Sequence, residues 1–155
     1  MEIRPIEVHQ IEEAQNVIST VGQEIWGLSK EHLYHYDTLQ DVQNVQEHYF
    51  NNQGTFLVLL DGEQVVGTGA VRRLDDEVCE LKRMWFLKPY RGQGFGLQMV
   101  QMLLDFAGTQ YKRIRLDLAD EEKQPQAMNF YKRLGFYPIE RYNEGPCQVF
   151  MEKHL

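Results

Sequence analysis

Cysteine is scarce in this chain. Its 155 residues hold two, Cys79 and Cys147, which form no disulfide framework and no paired zinc-ligand motif. Both fall in strand-like segments and read as buried free thiols, which fits a reducing, cytoplasmic setting. Long apolar runs are missing. The longest, Phe56 to Leu60, is far too short to span a bilayer, and Met1 to Glu7 lacks the apolar stretch of a signal peptide. Positive charge is the minority, with 16 Lys and Arg against 23 Asp and Glu, a net charge of −7 and a pI near 5.2. That balance argues against a nucleic-acid binder, which carries a basic patch. It is compatible with a cationic substrate and equally with solubility alone. Internal repeats, linkers and low-complexity tracts are absent. His32 and His35 share a spacing of three, but no further ligand stands at metal-binding spacing, so no metal is expected.

What is present is the composition of one ordinary globular domain over residues 1–155, 43% hydrophobic and 25% charged. A chain of this length buries about 68–70% of its extended surface and needs no staples. Glu2 to Val8 alternates as a strand. Ile11, Ala14, Ile18, Val21 and Ile25 fall at helical spacing, with Gly27 as a stop. Residues 30–50 read as one or two helices. Thr55 to Leu60 and Gln64 to Leu74 form a hairpin around Asp61-Gly62. After a turn at Asp75-Asp76, Val78 to Leu87 is a third antiparallel strand. A helix spans Phe95 to Ala107, with Val100, Leu103, Leu104 and Ala107 on its apolar face and Gly108 as its cap. Arg113 to Leu118 alternates as a strand. Gln124 and Pro125 open a helix that Gly135 ends, and Phe136 to Tyr142 and Gln148 to Lys153 are the last strands. This order predicts an α/β fold with a mixed, mostly antiparallel twisted sheet of six to seven strands and helices on both faces. Arg72 and Arg73 read as exposed or edge charges.

The most informative segment is Arg91-Gly92-Gln93-Gly94-Phe95-Gly96, between a strand and a helix. The first turn of a helix has N–H groups without intrahelical partners, at the positive end of its dipole. Glycine lets an anion approach that backbone closely, so the turn describes a phosphate site. A dinucleotide fingerprint fails because Leu97 stands where glycine is required, and no Gly-Lys-Ser/Thr follows for a Walker loop.

These features resemble the GNAT superfamily of N-acetyltransferases over nearly the whole chain. Arg91, Gly94 and Gly96 meet its Arg/Gln-x-x-Gly-x-Gly/Ala signature. Ala127-Met128-Asn129-Phe130-Tyr131-Lys132-Arg133-Leu134-Gly135-Phe136 is similar to its Ala-x-x-x-Tyr-x-x-x-Gly-Phe segment. The resemblance implies acetyl-CoA as cofactor, released as CoA, and a small-molecule or peptide amine as acceptor. It sets the diphosphate on the amides of Gly92, Gln93, Gly94, Phe95 and Gly96, and the pantetheine arm along the backbone of Met84, Trp85 and Phe86 like an added strand. It implies that the third strand and the next splay apart there. Gln124 stands where many relatives place a cofactor-binding Asn. Pro89 lies later than the common Pro-x-x-Arg spacing, which implies a small change of loop path. Direct attack by an amine needs a base, an oxyanion donor and an acid for the departing thiolate. Glu80 is the candidate base, acting directly or through water; the other reading is a solvent-facing strand glutamate. Tyr131 is the candidate acid; the other reading is a core tyrosine. Trp26, Tyr34, Tyr36 and Asp37 fall in the segment that shapes the acceptor pocket in relatives, or pack under a helix pair. Lys132 and Arg133 are candidates for the 3′-phosphate or plain surface charge. A homodimer is common in the family. A non-catalytic acyl-CoA-binding module on the same fold is the alternative function.

Overall fold

The computed structural model describes residues 1–155. The apolar periodicity after Ile11 produces α1 (Ile11–Trp26), which buries Ala14, Val17, Ile18 and Val21 and ends on Gly27 at φ 66°. Residues 30–50 form three short helices, α2 (Lys30–Tyr36), α3 (Gln40–Gln43) and α4 (Val45–His48), where the sequence predicted one or two. The breaks are local. The Asp37 carboxylate accepts the Leu39 N–H at 3.1 Å, an Asx turn, and Leu39 itself sits at φ 58°.

Seven strands follow the expected order: β1 (Glu2–Pro5), β2 (Thr55–Asp61), β3 (Gln64–Arg73), β4 (Val78–Phe86), β5 (Arg113–Leu118), β6 (Tyr137–Pro138) and β7 (Val149–His154). They form one sheet in the order β1-β2-β3-β4-β5-β7-β6, antiparallel except for β4 and β5. Helices α5 (Phe95–Gly108) and α6 (Pro125–Arg133) cover one face, where Leu57, Leu59, Met99, Val100, Leu103 and Ile114 pack into one core. Helices α1, α3 and α4 cover the other, with Val17, Val42, Tyr49, Phe56 and Val58 in a second core. The predicted mixed sheet with helices on both faces is the one that forms. No helix is long and apolar enough to cross a membrane.

Local expectations change in four places. Asp61 pairs with Gln64, so the hairpin turn is Gly62-Glu63, with glycine at φ 62° in the first position, the arrangement of a type II′ turn. Gly108 is the last helical residue of α5, and Thr109 caps it. Only Tyr137 and Pro138 of the predicted 136–142 strand pair with β7. The rest is an irregular segment drawn together by Arg141, whose guanidinium donates to the carbonyls of Asn143, Gly145 and Cys147. Arg72 is part-exposed, its side chain 40% accessible, but it is not an edge charge. It lies on the interior strand β3 opposite Glu80, 3.1 Å from that carboxylate.

Candidate active site

The site begins with a step in β4. Its apolar residues run Cys79, Leu81, then Met84, Phe86, an alternation that skips one place. In the structure Ala70 of β3 faces Lys82 and Thr68 faces Trp85, so Gly69 alone opposes Arg83 and Met84. This is a β-bulge, with Arg83 at φ 59°. It sends Cys79, Leu81, Met84 and Phe86 to the core beneath α5. Glu80, Lys82, Arg83 and Trp85 are left for the opposite face. A Cβ at Gly69 would meet Met99 Sδ at 2.5 Å and Met84 Sδ at 2.7 Å, so a side chain there would force both thioethers to move.

The bulge is held from both sides. The buried Thr68 hydroxyl donates to the Arg83 carbonyl at 2.6 Å. The Arg83 guanidinium, its side chain 8% exposed, pairs with Asp37 and with Asp41, the latter at 2.6 Å. The Tyr49 hydroxyl donates to the same Asp41 carboxylate at 2.5 Å. Burial pushes the Asp41 carboxyl up, but the hydrogen bonds and charge of Arg83, with the Tyr49 hydroxyl, outweigh it and hold it well below the usual range. Asp37, expected in the acceptor pocket, is therefore an anchor of α2 to β4. Tyr34 and Tyr36 of α2 are exposed. Trp26, at the end of α1, has Lys123 Nζ 6.0 Å above its ring, so it reaches the loop that leaves β5.

The sheet has already opened before the bulge. β4 pairs with β5 only at Val78, Cys79 and Glu80, while β5 continues to Leu118 along β7. From Leu81 to Phe86 the β4 edge has no strand on that side. This is the splay that the family resemblance implied. Met84, Trp85 and Phe86 lie along it. The Phe86 carbonyl is already taken, accepting from Arg91 Nε at 2.7 Å.

The glycine turn lies at the end of this opening. Gly92 stands at φ 74° and Gly94 at φ 88°, backbone angles a side chain opposes, and no atom lies within 4 Å of a Cβ built on either. The Arg91 N–H donates to Lys88 O, and the Gln98 N–H to Gly94 O. Between them, the N–H groups from Gly92 through Leu97 donate to no protein atom. A row of free donors at the N-terminus of a 14-residue helix fits the diphosphate of a nucleotide cofactor. The Arg91 side chain braces this loop: beyond its bond to Phe86, Nη2 reaches Glu24 at 2.7 Å. Gln93 does the same by donating to the Pro89 carbonyl at 2.7 Å. Gln124, before α6, accepts the Ala119 N–H through its side-chain carbonyl at 2.6 Å, which leaves its amide nitrogen without a partner.

Glu80 and Tyr131 occupy contrasting settings. Glu80 is 3% exposed and so is not a solvent-facing strand residue. Its Oε2 accepts from the Tyr142 hydroxyl at 2.6 Å. Its Oε1 lies 3.1 Å from Arg72 Nε, in ion-pair contact but not aligned as a hydrogen bond. Tyr131 is buried among Phe130 and Phe136, edge to face with each, and burial raises its hydroxyl above the ordinary phenol range. That hydroxyl makes no hydrogen bond to the protein, yet it is not among the fully sealed polar atoms. Helical spacing alone did not distinguish a core tyrosine from one keeping its hydroxyl free.

Three residues near Glu80 escaped the sequence reading. Tyr142 stands on the irregular segment after β6, with the Arg115 guanidinium 5.3 Å above its ring. Asn143 donates to Asp117 of β5 at 2.9 Å, which pins the segment beside the opening. Lys82 is half-buried. Burial, then the charges of Arg83 and Arg72, lower its ammonium below the usual lysine range. Cys147 is partly buried, not on a strand, and its thiol is pushed up to about 12 by burial and by Asp117. No signal in the sequence placed residues 142–147 against β4, because that contact depends on the register of β5 with β7. Arg83 was legible in principle, through the skipped alternation between Leu81 and Met84.

Comparison with known proteins agrees with this geometry. The sequence profile of the Acetyltransferase (GNAT) family matches residues 20–136. The uncharacterized N-acetyltransferase YsnE of Bacillus subtilis is 26% identical over 142 residues, 86% of this chain and 94% of its own. A crystal structure of an acetyltransferase from Streptococcus agalactiae superposes with a TM-score of 0.82 at 25% identity, covering 99% of this chain and 98% of that one. The PaiA N-acetyltransferase of Thermoplasma acidophilum, solved in complex with coenzyme A, shares the fold with a TM-score of 0.77 at 17% identity, over 99% of this chain and 98% of its own. Between an acetyl-CoA-dependent transferase and a non-catalytic binding module, these relatives speak for the transferase. With the phosphate loop, the splay and the profile in agreement, the chain belongs to the GNAT family of acetyltransferases, whose donor is acetyl-CoA.

Proposed function

We propose that this chain, as a single cytoplasmic domain, transfers the acetyl group of acetyl-CoA to an amine by direct attack. The observation that carries the reading is the row of unpartnered amides from Gly92 to Leu97 beside a β4 edge that β5 has left. The amides and the positive end of α5 hold the diphosphate, and the free edge near Met84, Trp85 and Phe86 holds the pantetheine amides. Gln124 offers its unpartnered amide nitrogen from the far wall. When bound, acetyl-CoA supplies the thioester that the amine attacks.

The chain's residues then manage two protons. An acceptor amine arrives as an ammonium and must lose a proton before it attacks. Both oxygens of Glu80 are engaged, so Glu80 takes this proton through the Tyr142 hydroxyl. Tyr142 passes its own proton to Glu80 and receives the one from the ammonium. A backbone N–H at the bulge stabilises the charge that grows on the carbonyl oxygen. Tyr131 gives its proton to the departing thiolate as the carbon–sulfur bond breaks; the attacking nitrogen sheds its second proton as the amide forms, and that proton restores Tyr131 through water while Glu80 returns its own to solvent. Its raised pKa keeps the phenol protonated until then. The test is free-thiol release from acetyl-CoA with a panel of primary amines. Turnover that is saturable in both substrates is expected, and tight CoA binding without turnover on any amine contradicts the proposal.

A further inference from the structure

Resting on that reading, the surroundings of Lys82 narrow the acceptor. Three other charged side chains near this cleft are paired: Arg72 with Glu80, Arg83 with Asp37 and Asp41, and Arg115 with Glu152 at 2.7 Å. Lys82 differs. No carboxylate oxygen lies within 4.0 Å of its ammonium, and it makes no hydrogen bond. Glu80 and Asp41 act on it only from a distance, against Arg83 and Arg72. Its ammonium has no partner in the protein and is not sealed from solvent, so it is open to an anion supplied from outside.

The position of Lys82 shows where that partner comes from. Lys82 stands two residues beyond Glu80 on the same strand before the bulge, so their Cα atoms are about 7 Å apart and their side chains share a face. That face is opposite α5, whose N-terminus takes the diphosphate. The anion that meets Lys82 therefore belongs to the acceptor. Glu80, through Tyr142, meets the acceptor's amine. With Arg72 neutralised by Glu80 and Arg83 by Asp37 and Asp41, the one uncompensated positive charge left is that of Lys82, which matches a single negative charge, a carboxylate, better than a phosphate dianion. The acidity of the chain as a whole does not oppose this, because the nearby carboxylates are already held by arginines or by Asn143.

We infer that Lys82 binds a carboxylate on the acceptor, so that the substrates are amino acids, with amine and acid a few bonds apart, and not simple amines. The test compares each acid with its decarboxylated partner: phenylalanine with phenethylamine, lysine with cadaverine, 5-aminopentanoate with butylamine. The acid of at least one pair is expected to have a kcat/KM ten- to a hundredfold higher, the range of about 1.5–3 kcal/mol for a hydrogen bond to a charged group. Lys82→Met is expected to lose at least tenfold more on that acid than on its amine, mainly in KM. In the unaltered protein, pentanoate is expected to compete with 5-aminopentanoate and not with acetyl-CoA, a result that does not depend on how the variant folds. Amines that match their acids, equal losses on both in Lys82→Met, or no competition by pentanoate overturn the assignment while leaving acetyl transfer intact. CoA binding without thiol release on either member of any pair overturns the transfer reading and this assignment together.

Discussion

Tyr131 combines two properties that rarely meet in one side chain: its ring is packed as tightly as a core residue, and its hydroxyl is bonded to nothing in the protein. That hydroxyl is not sealed from solvent, so it stays free to meet a ligand without the cost of an unsatisfied buried group. Tyr131→Phe removes only the oxygen. It is expected to lower kcat about a hundredfold while leaving CoA affinity and folding stability near the unaltered values, as read by steady-state kinetics and calorimetric titration. A variant with full rate excludes the phenol as proton donor. Tyr142→Phe is expected to act differently, because it also removes a hydrogen bond to Glu80. Its rate should fall at neutral pH and recover as rising pH delivers the amine already deprotonated. A pH–rate profile parallel to that of the unaltered protein would exclude the relay.

The bulge in β4 is the element on which the site turns, and Arg83 is what holds it. Removing one partner of a buried ion pair costs about 3–5 kcal/mol, and the Asp41 carboxylate, 13% exposed, is the partner left behind. Arg83→Met is therefore expected to lower stability by about 3 kcal/mol, read as a lower urea midpoint with the slope unchanged. Asp41 and Asp37 have depressed folded-state values. Their contribution is complete above the unfolded carboxylate range, near pH ~4, and is lost as pH falls through the folded values. Acid destabilisation below about pH 4 should be shallower in Arg83→Met, and an unaltered slope there would mean that the pair does not carry it. Elements with strong local patterns were legible in the sequence: α1, α5, the β2–β3 hairpin and the glycine turn. The burial of Glu80 was not, since its cover comes from Arg72 across one strand pair and from Tyr142, 62 residues away in sequence. The break-up of residues 30–50 follows from Leu39 adopting φ 58°, which no apolar period announces.

At the scale of the whole molecule, one sheet carries two cores, and the cleft lies where β4 and β5 part between them. A ligand that bridges the parted strands stabilises only the folded chain, by about 2.7 kcal/mol at a hundredfold excess over Kd. For a chain of this size that is a rise in Tm of roughly 5–10 °C. Coenzyme A is expected to give such a shift in differential scanning fluorimetry, and adenosine without the diphosphate is expected to give little of it. Equal shifts from both would place the binding energy elsewhere than in the amide row.

The most direct measurement is an amide ¹H–¹⁵N titration of the labelled protein with coenzyme A. The signals of Gly92, Gln93, Gly94, Phe95, Gly96 and Leu97 should move downfield together as their hydrogens take phosphate oxygens, with smaller changes at Met84 and Trp85. Saturable binding that leaves those loop signals in place, and moves others, would contradict the account at its base.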